Sequence, residues 1–148
     1  MRVCVIDGRG GGLGSRLVAG LQSELGPAHH IVALATNLVA AEAMKQAGAT
    51  QVGVGPRVIA DTLPTVDVIV TSLNLVLSGA MLGEVTPEIV QAILSARATK
   101  VLLPLNRARV EIVGAGARYP RRADYAISVP SPFLGRFSPA RLAGSPRS

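Results

Sequence analysis

The stretch VIDGRGGGLGSRLV, residues 5–18, decides the fold. It joins an apolar run typical of a buried β-strand to a run with helical spacing of leucine and valine, and five of the seven residues 8–14 are glycine. Bare backbone between a strand and a helix lets main-chain N–H groups approach an anion, which the helix dipole also favours. The stretch therefore predicts either a phosphate site or a tight turn without a ligand.

The spacing of these glycines is typical of dinucleotide-binding proteins. Positions 8, 12 and 14 match the glycine pattern of short-chain dehydrogenases, and positions 8, 11 and 14 match that of their extended relatives. The plain G-x-G-x-x-G pattern is not present, because Leu13 stands at its third glycine. The predicted binding residues of the turn are Asp7, Gly8, Arg9, Gly10, Gly11, Gly12, Leu13 and Gly14.

Apolar runs and helical periods alternate along the rest of the chain. The predicted strands are residues 2–6, 31–35, 51–54, 66–71 and 100–103, and the predicted helices are 13–25, 38–47, 57–63 and 86–98. Asn37 and Thr86 are the expected N-caps of the second and fourth helices. A sixth strand at 110–113 follows too closely for a crossover, so it is expected to pair antiparallel with the fifth.

This alternation predicts an α/β fold: a small Rossmann-like, doubly wound, mostly parallel sheet of five strands in the order 3-2-1-4-5, with the antiparallel sixth strand at one edge. The domain is predicted to span residues 1–114, and residues 115–148 are predicted to form an Arg- and Pro-rich, mostly irregular tail. Ligands of such sheets bind where the strand order reverses, here between strands 1 and 4. This placement adds Ser72 and Asn74 to the predicted binding residues.

The residues after the second strand argue against an ordinary NAD enzyme. An acidic residue is expected there to hold the adenosine ribose, whereas the sequence has Thr36 and Asn37, which hydrogen-bond sugar hydroxyls more weakly. Arg9 favours a phosphorylated dinucleotide, with a solvated loop arginine as the alternative. Neither Tyr119 nor Tyr125 has a lysine four positions on, so the catalytic pair of short-chain dehydrogenases is absent. The predicted cofactor is NAD(P) or another nucleotide.

Asp7 is unusual for a residue beside a phosphate. A carboxylate about 7 Å from a phosphate costs on the order of 2 kcal/mol at an effective dielectric constant of about 20. Asp7 could bridge to the phosphate through Mg²⁺. The favoured interpretation is that it accepts N–H bonds from the glycine turn and fixes the shape of that turn.

Composition and charge limit the classes of function. The 148 residues are 49% hydrophobic, as in a globular protein with a well-buried core. Most of the net charge of +6 lies in residues 115–148, with six arginines against one aspartate, so nucleic-acid binding by the domain is not favoured. Cys4 is the only cysteine, which excludes a Cys-rich metal site and fits a cytoplasmic protein. Polar residues interrupt the apolar stretch 66–85, so no membrane span is predicted.

The apolar segment 73–83 lies on a predicted loop or short helix over the binding edge. Loops with this much apolar surface are usually covered. A second copy of the chain is the favoured cover, which predicts a homo-oligomer. The alternative is a lid over an apolar part of the ligand, with polar contacts from Ser72, Asn74, Ser78 and Glu84.

Four segments, VIDGRGGGLG, ATNLVAAEAMKQAGA, SGAMLGEVTPEIVQAI and VLLPLNRARVEIVG, together resemble a family of short bacterial Rossmann-like proteins known only as a domain of unknown function. The resemblance covers about residues 1–114 and is carried above all by MLGEVTP and PLN. It implies the fold and a nucleotide site, and no activity. Beyond residue 114 the relatives look helical and acidic, whereas this tail is rich in Arg and Pro.

Two classes of function follow from these features. The first is a protein that binds a nucleotide or dinucleotide phosphate through the glycine turn, as a small NAD(P)-dependent oxidoreductase or a cofactor-sensing subunit. The second is a non-enzymatic oligomeric scaffold or regulator that keeps the fold without a ligand. The sequence offers no general base with a positioned partner, so it does not decide whether a reaction is catalysed.

Overall fold

The structure, a computed structural model, describes residues 1–104. Helices and strands alternate throughout this part of the chain, with two 3-10 helices at Leu63–Thr65 and Leu73–Val76. The strands and α-helices are, in chain order, β1 (Arg2–Asp7), α1 (Gly12–Leu25), β2 (His30–Ala35), α2 (Leu38–Gln46), β3 (Gln51–Val54), α3 (Pro56–Thr62), β4 (Val68–Ser72), α4 (Pro87–Ser95) and β5 (Thr99–Leu103).

The five strands form one parallel sheet in the order β3-β2-β1-β4-β5, which confirms the predicted order. Strand β1 lies at the centre, where Cys4 is in register with Val32 of β2 and Ile69 of β4. The predicted antiparallel strand at 110–113, the domain boundary at 114 and the tail 115–148 lie outside the described residues.

Both faces of the three central strands, β1, β2 and β4, are buried, as in a parallel sheet with helices on both sides. Alternate residues of β1 enter different clusters: Val3 and Val5 join the cluster that contains residues of α1 and α2, and Cys4 and Ile6 join the one that contains residues of α3 and α4. Cys4 is fully buried, as expected for a small apolar residue, and burial raises the pKa of its thiol above the ordinary range. The fold is therefore doubly wound.

The predicted caps set the helix boundaries near the site. The Asn37 side chain accepts a hydrogen bond from the Ala40 N–H at 2.9 Å, and Thr86 accepts one from the Ile89 N–H at 3.3 Å. Helix α4 is shorter than predicted, because Ala96 is extended and ends it after Ser95. Within residues 1–104, none of the helices has both the length and the apolar character that a membrane span needs.

Candidate functional site

The candidate site lies in the crevice where the strand order reverses. Strands β1 and β4 are neighbours, with Ile6 in register with Thr71, so that Asp7 and Ser72 end the two strands side by side. The chain then leaves β1 towards α1 on one face and leaves β4 towards α4 on the other. Two loops therefore border the crevice: the glycine turn, residues 8–11, and the β4–α4 loop, residues 73–86.

Asp7 fixes the shape of the glycine turn. Its Oδ1 accepts a hydrogen bond from the Gly8 N–H at 2.8 Å, and its Oδ2 accepts one from the Gly14 N–H at 2.6 Å. The carboxylate, which is 5% exposed, thus ties the first residue of the turn to the first turn of α1. These bonds agree with the favoured interpretation of Asp7, in which its carboxylate fixes the shape of the glycine turn.

Three of the five glycines are required by close packing. A Cβ on Gly8 would come within 2.6 Å of Thr36 Oγ1, and one on Gly11 within 2.8 Å of the Ala40 backbone. A Cβ on Gly14 would lie 2.6 Å from the Met44 sulfur. Gly11 also has a φ of 69°, which favours glycine. These residues let the turn lie against β2 and α2.

The remaining two glycines, Gly10 and Gly12, have no such explanation. Neither has a positive φ, and a Cβ built on either would meet no atom within 4 Å. Both residues are exposed, whereas the three packed glycines are buried. The turn therefore exposes bare backbone to solvent at these two positions.

Unpaired backbone donors lie along the same stretch of backbone. The N–H groups of Gly8 and Gly14 are taken by Asp7, and the Gly11 N–H donates to the Gly8 carbonyl oxygen at 3.0 Å. In contrast, the N–H groups of Gly10, Gly12 and Leu13 donate to no acceptor within residues 1–104. These groups stand at the N-terminus of a 14-residue helix, where the dipole favours an anion.

The Glu84 carboxylate binds the glycine turn at Arg9 and also binds the two residues that follow β2. Its Oε2 accepts three hydrogen bonds: from the Arg9 N–H at 2.8 Å, from the Thr36 hydroxyl at 2.5 Å and from the Asn37 amide at 3.0 Å. The Asn37 amide also donates to the Arg9 carbonyl oxygen at 2.9 Å. The carboxylate thus joins the β4–α4 loop to the glycine turn and to the end of β2.

These contacts set the charge of Glu84. Partial burial alone would raise the pKa of its carboxyl, but the hydrogen bonds from Arg9, Thr36 and Asn37, together with the charge of Arg9, lower the pKa below the ordinary value of 4.5. Glu84 is therefore ionised at neutral pH.

The lowered pKa of Glu84 predicts a pH-dependent contribution to stability. The contribution is complete well above the unfolded pKa of about 4.5 and is lost as the pH falls through the lower folded pKa. In urea denaturation, we expect the difference in unfolding free energy between wild type and Glu84→Gln to shrink as the pH falls below 4.5. The same comparison with the exposed Glu88→Gln is the control. A Glu84 difference that stays constant with pH would show that its bonds do not depend on charge.

Two buried polar atoms lie at the end of β4. Ser72 is fully buried and Asn74 is 6% exposed, and neither the Ser72 Oγ nor the Asn74 Oδ1 has a hydrogen-bond partner within the described part of the chain. Buried polar atoms are normally paired, and each one that is not needs an explanation, such as a bound water, an ion or a catalytic role. Ser72 and Asn74, which are predicted to contact a ligand, thus each have an unpaired polar atom beside the end of β1.

The apolar segment 73–83 packs largely on its own protein. Leu75 is fully buried, and Val76, Ala80 and Met81 pack against the cluster that contains residues of α3 and α4. Only Leu82, 89% exposed, is left as a large exposed apolar side chain in this segment. Much of the apolar surface that led us to predict a homo-oligomer is thus covered within the chain, and the oligomer remains a prediction.

The β4–α4 loop has an unusual backbone conformation next to Glu84. Met81 has a φ of 56° and Leu82 a φ of 58°, followed by Gly83 at 87°. Bulky side chains seldom adopt this left-handed region, and residues that do so concentrate at functional sites. Arg9, on the facing turn, has a φ of 51°.

The structure brings most of the predicted binding residues together. The turn residues 7–14 meet Thr36 and Asn37 through Glu84, while Ser72 and Asn74 lie at the neighbouring strand end. Sequence reasoning gave Glu84 only as a polar contact of a lid and missed its bonds to the glycine turn. The charged residue after an apolar, glycine-rich run was the available signal, but its partners are as many as 75 positions away.

Comparison with known families agrees with the sequence resemblance. Residues 2–128 match the model of the family described as a domain of unknown function, DUF3842. The chain belongs to this family. The DUF3842 match covers the whole of the sheet and the crevice, and it extends beyond the resemblance at residues 1–114. No curated protein matches the chain significantly.

Proposed function

We propose that this DUF3842 protein binds a nucleotide or dinucleotide by placing a phosphate against the N–H groups of Gly10, Gly12 and Leu13. One observation carries the proposal: Gly10 and Gly12 are glycine although neither packing nor backbone conformation requires it. Close approach of a ligand to the backbone accounts for both residues.

The turn is built to receive an anion without rearrangement. Asp7 holds the Gly8 and Gly14 N–H groups, so the turn has a fixed shape before any ligand arrives. The donors that remain lie at the N-terminus of α1, whose dipole adds about half a positive charge.

The rest of the ligand would occupy the crevice between the two loops. Ser72 Oγ and Asn74 Oδ1, buried at the end of β4, have no partners in residues 1–104, which supports polar contacts to a sugar, a base or a nicotinamide that reaches this strand end. NAD(P) is one ligand of this size and chemistry, and it would make the protein a small oxidoreductase or a cofactor-sensing subunit. The phosphate site supports other nucleotides equally.

One observation favours the alternative function, an oligomeric scaffold or regulator without a ligand. The Gly8 backbone is covered by Thr36, by the Met81 sulfur and by Glu84, within 2.9 Å of a built Cβ. These side chains leave no room for a ligand against the Gly8 backbone. Exposed Leu82, on the same loop, is the apolar side chain that a second copy would contact.

A ligand screen tests the proposal directly. Native mass spectrometry of the purified protein should detect a co-purifying nucleotide, and thermal unfolding with NAD, NADP, ATP, GTP and FAD should identify its class. A ligand at about 100 times its Kd adds about 2.7 kcal/mol, which corresponds to a rise in Tm of roughly 5–10 °C. No shift with any nucleotide at millimolar concentration, together with a concentration-dependent assembly, would favour the scaffold.

A further inference from the structure

We infer that the Glu84 carboxylate selects nucleotides whose ribose carries a free 2′-hydroxyl and rejects those with a 2′-phosphate; this inference rests on the proposed nucleotide site. Glu84 supplies, from the β4–α4 loop, the acidic group that β2 lacks. The proposed function concerns phosphate binding, and this inference adds a preference for a free 2′-hydroxyl over a 2′-phosphate on the ribose.

Glu84 lies at the end of β2, where nucleotide-binding proteins with this fold hold the ribose. In doubly wound sheets of this kind, the ribose lies at the end of the second strand, where an acidic residue accepts hydrogen bonds from its hydroxyls. In this chain β2 ends at Ala35 and is followed by Thr36 and Asn37, which both donate to Glu84 Oε2. The carboxylate therefore lies at the expected place although it comes from another loop.

Only one of the two Glu84 carboxylate oxygens is bound by donors of residues 1–104. Three donors hold Oε2, which fixes the carboxylate in one orientation. The other oxygen, Oε1, accepts no hydrogen bond from residues 1–104, and the side chain is only half-buried. Oε1 is thus available to accept a hydrogen bond from a ribose hydroxyl.

The same arrangement opposes a 2′-phosphate. A phosphate at this point would meet the fixed negative charge of Glu84, and like charges in contact weaken binding strongly. Three local donors, the Arg9 N–H, the Thr36 hydroxyl and the Asn37 amide, are already bound to the carboxylate. The preference is opposite to the one that the Arg9 side chain predicts from sequence.

Isothermal titration of two nucleotide pairs tests the inference. NAD⁺ and NADP⁺ differ only in the 2′-phosphate, and ADP and 2′-deoxy-ADP differ only in the 2′-hydroxyl. For wild type we expect NADP⁺ to bind at least about tenfold more weakly than NAD⁺, and 2′-deoxy-ADP several-fold more weakly than ADP. In Glu84→Gln we expect the NAD⁺ preference to fall to about threefold or less. Glu88→Gln, which removes an equal charge from α4, should keep the wild-type preference.

The possible failures are distinguishable. If wild type binds no nucleotide of either pair, the proposed function and this inference both fail. If nucleotides bind but wild type takes NADP⁺ as tightly as NAD⁺, or Glu84→Gln keeps the wild-type ratio, only the inference fails. If Glu84→Gln and Glu84→Ala bind all four nucleotides more tightly by the same factor, Glu84 is a competitor for the site, which also overturns the inference. Thermal unfolding of each variant shows that it is folded.

Discussion

Replacing Gly12 by aspartate is expected to abolish nucleotide binding while the protein stays folded. A side chain at this position meets no atom within 4 Å, so the fold has room for it. A carboxylate in the first turn of α1 interacts favourably with the helix dipole, by about 0.3–1 kcal/mol. The same carboxylate lies where we place the phosphate, and we expect affinity to fall by about 100-fold or more because of charge repulsion and blocked approach.

The binding and stability measurements together make this test specific. Gly12→Ala adds only a methyl group and should weaken binding less than Gly12→Asp. Gln91→Glu places an equal charge on an exposed position of α4 and should leave binding unchanged. The result would contradict the phosphate site if Gly12→Asp bound the nucleotide as wild type does. Loss of folding in Gly12→Ala would instead show that Gly12 has a structural role that its open surroundings do not reveal.

Removing the Asp7 carboxylate is expected to cause the largest loss of stability of any variant considered. Asp7→Ala leaves the Gly8 and Gly14 N–H groups buried without their acceptor. Each buried donor left unpaired costs about 1–3 kcal/mol, so we expect a decrease of about 3–5 kcal/mol in the free energy of unfolding. Urea denaturation at neutral pH measures this decrease.

A second aspartate provides the matched control. Asp67 also accepts a backbone hydrogen bond, from the Arg2 N–H at 2.7 Å, but it lies exposed at the opposite end of the sheet. Because water replaces its bond, Asp67→Ala should cost about 1 kcal/mol or less. A similarly small decrease in the free energy of unfolding for Asp7→Ala would contradict the structural role of Asp7. It would favour the alternative role, a bridge to the phosphate through Mg²⁺.

Local signals predicted much of the fold correctly. The helices that begin after Asn37 and Thr86 were located because capping depends on residues within one turn. The predicted strand order is typical of doubly wound folds, which the alternation of strands and helices indicates. Helix α4 was predicted too long, because its end depends on the extended conformation of Ala96 and not on helix propensity.

The site was less predictable because its contacts join distant parts of the chain. The five glycines look alike in the sequence, and contacts with residues such as Thr36, Ala40 and Met44 separate the packed glycines from Gly10 and Gly12. The role of Glu84 was hidden for the same reason, since its donors lie on β1 and β2 loops. Likewise, apolar residues of the segment 73–83 suggested a second subunit, whereas Leu75 is buried in the protein's own core.

The most direct test of the phosphate site is a ¹H–¹⁵N NMR titration of the full chain with ADP. We predict the largest amide shifts at Gly10, Gly12 and Leu13, whose N–H groups have no acceptor within residues 1–104. Smaller shifts are predicted at Gly8 and Gly14, whose N–H groups are already bound to Asp7. Saturable binding that leaves the amides of Gly10, Gly12 and Leu13 unshifted would contradict the claim that this turn binds phosphate.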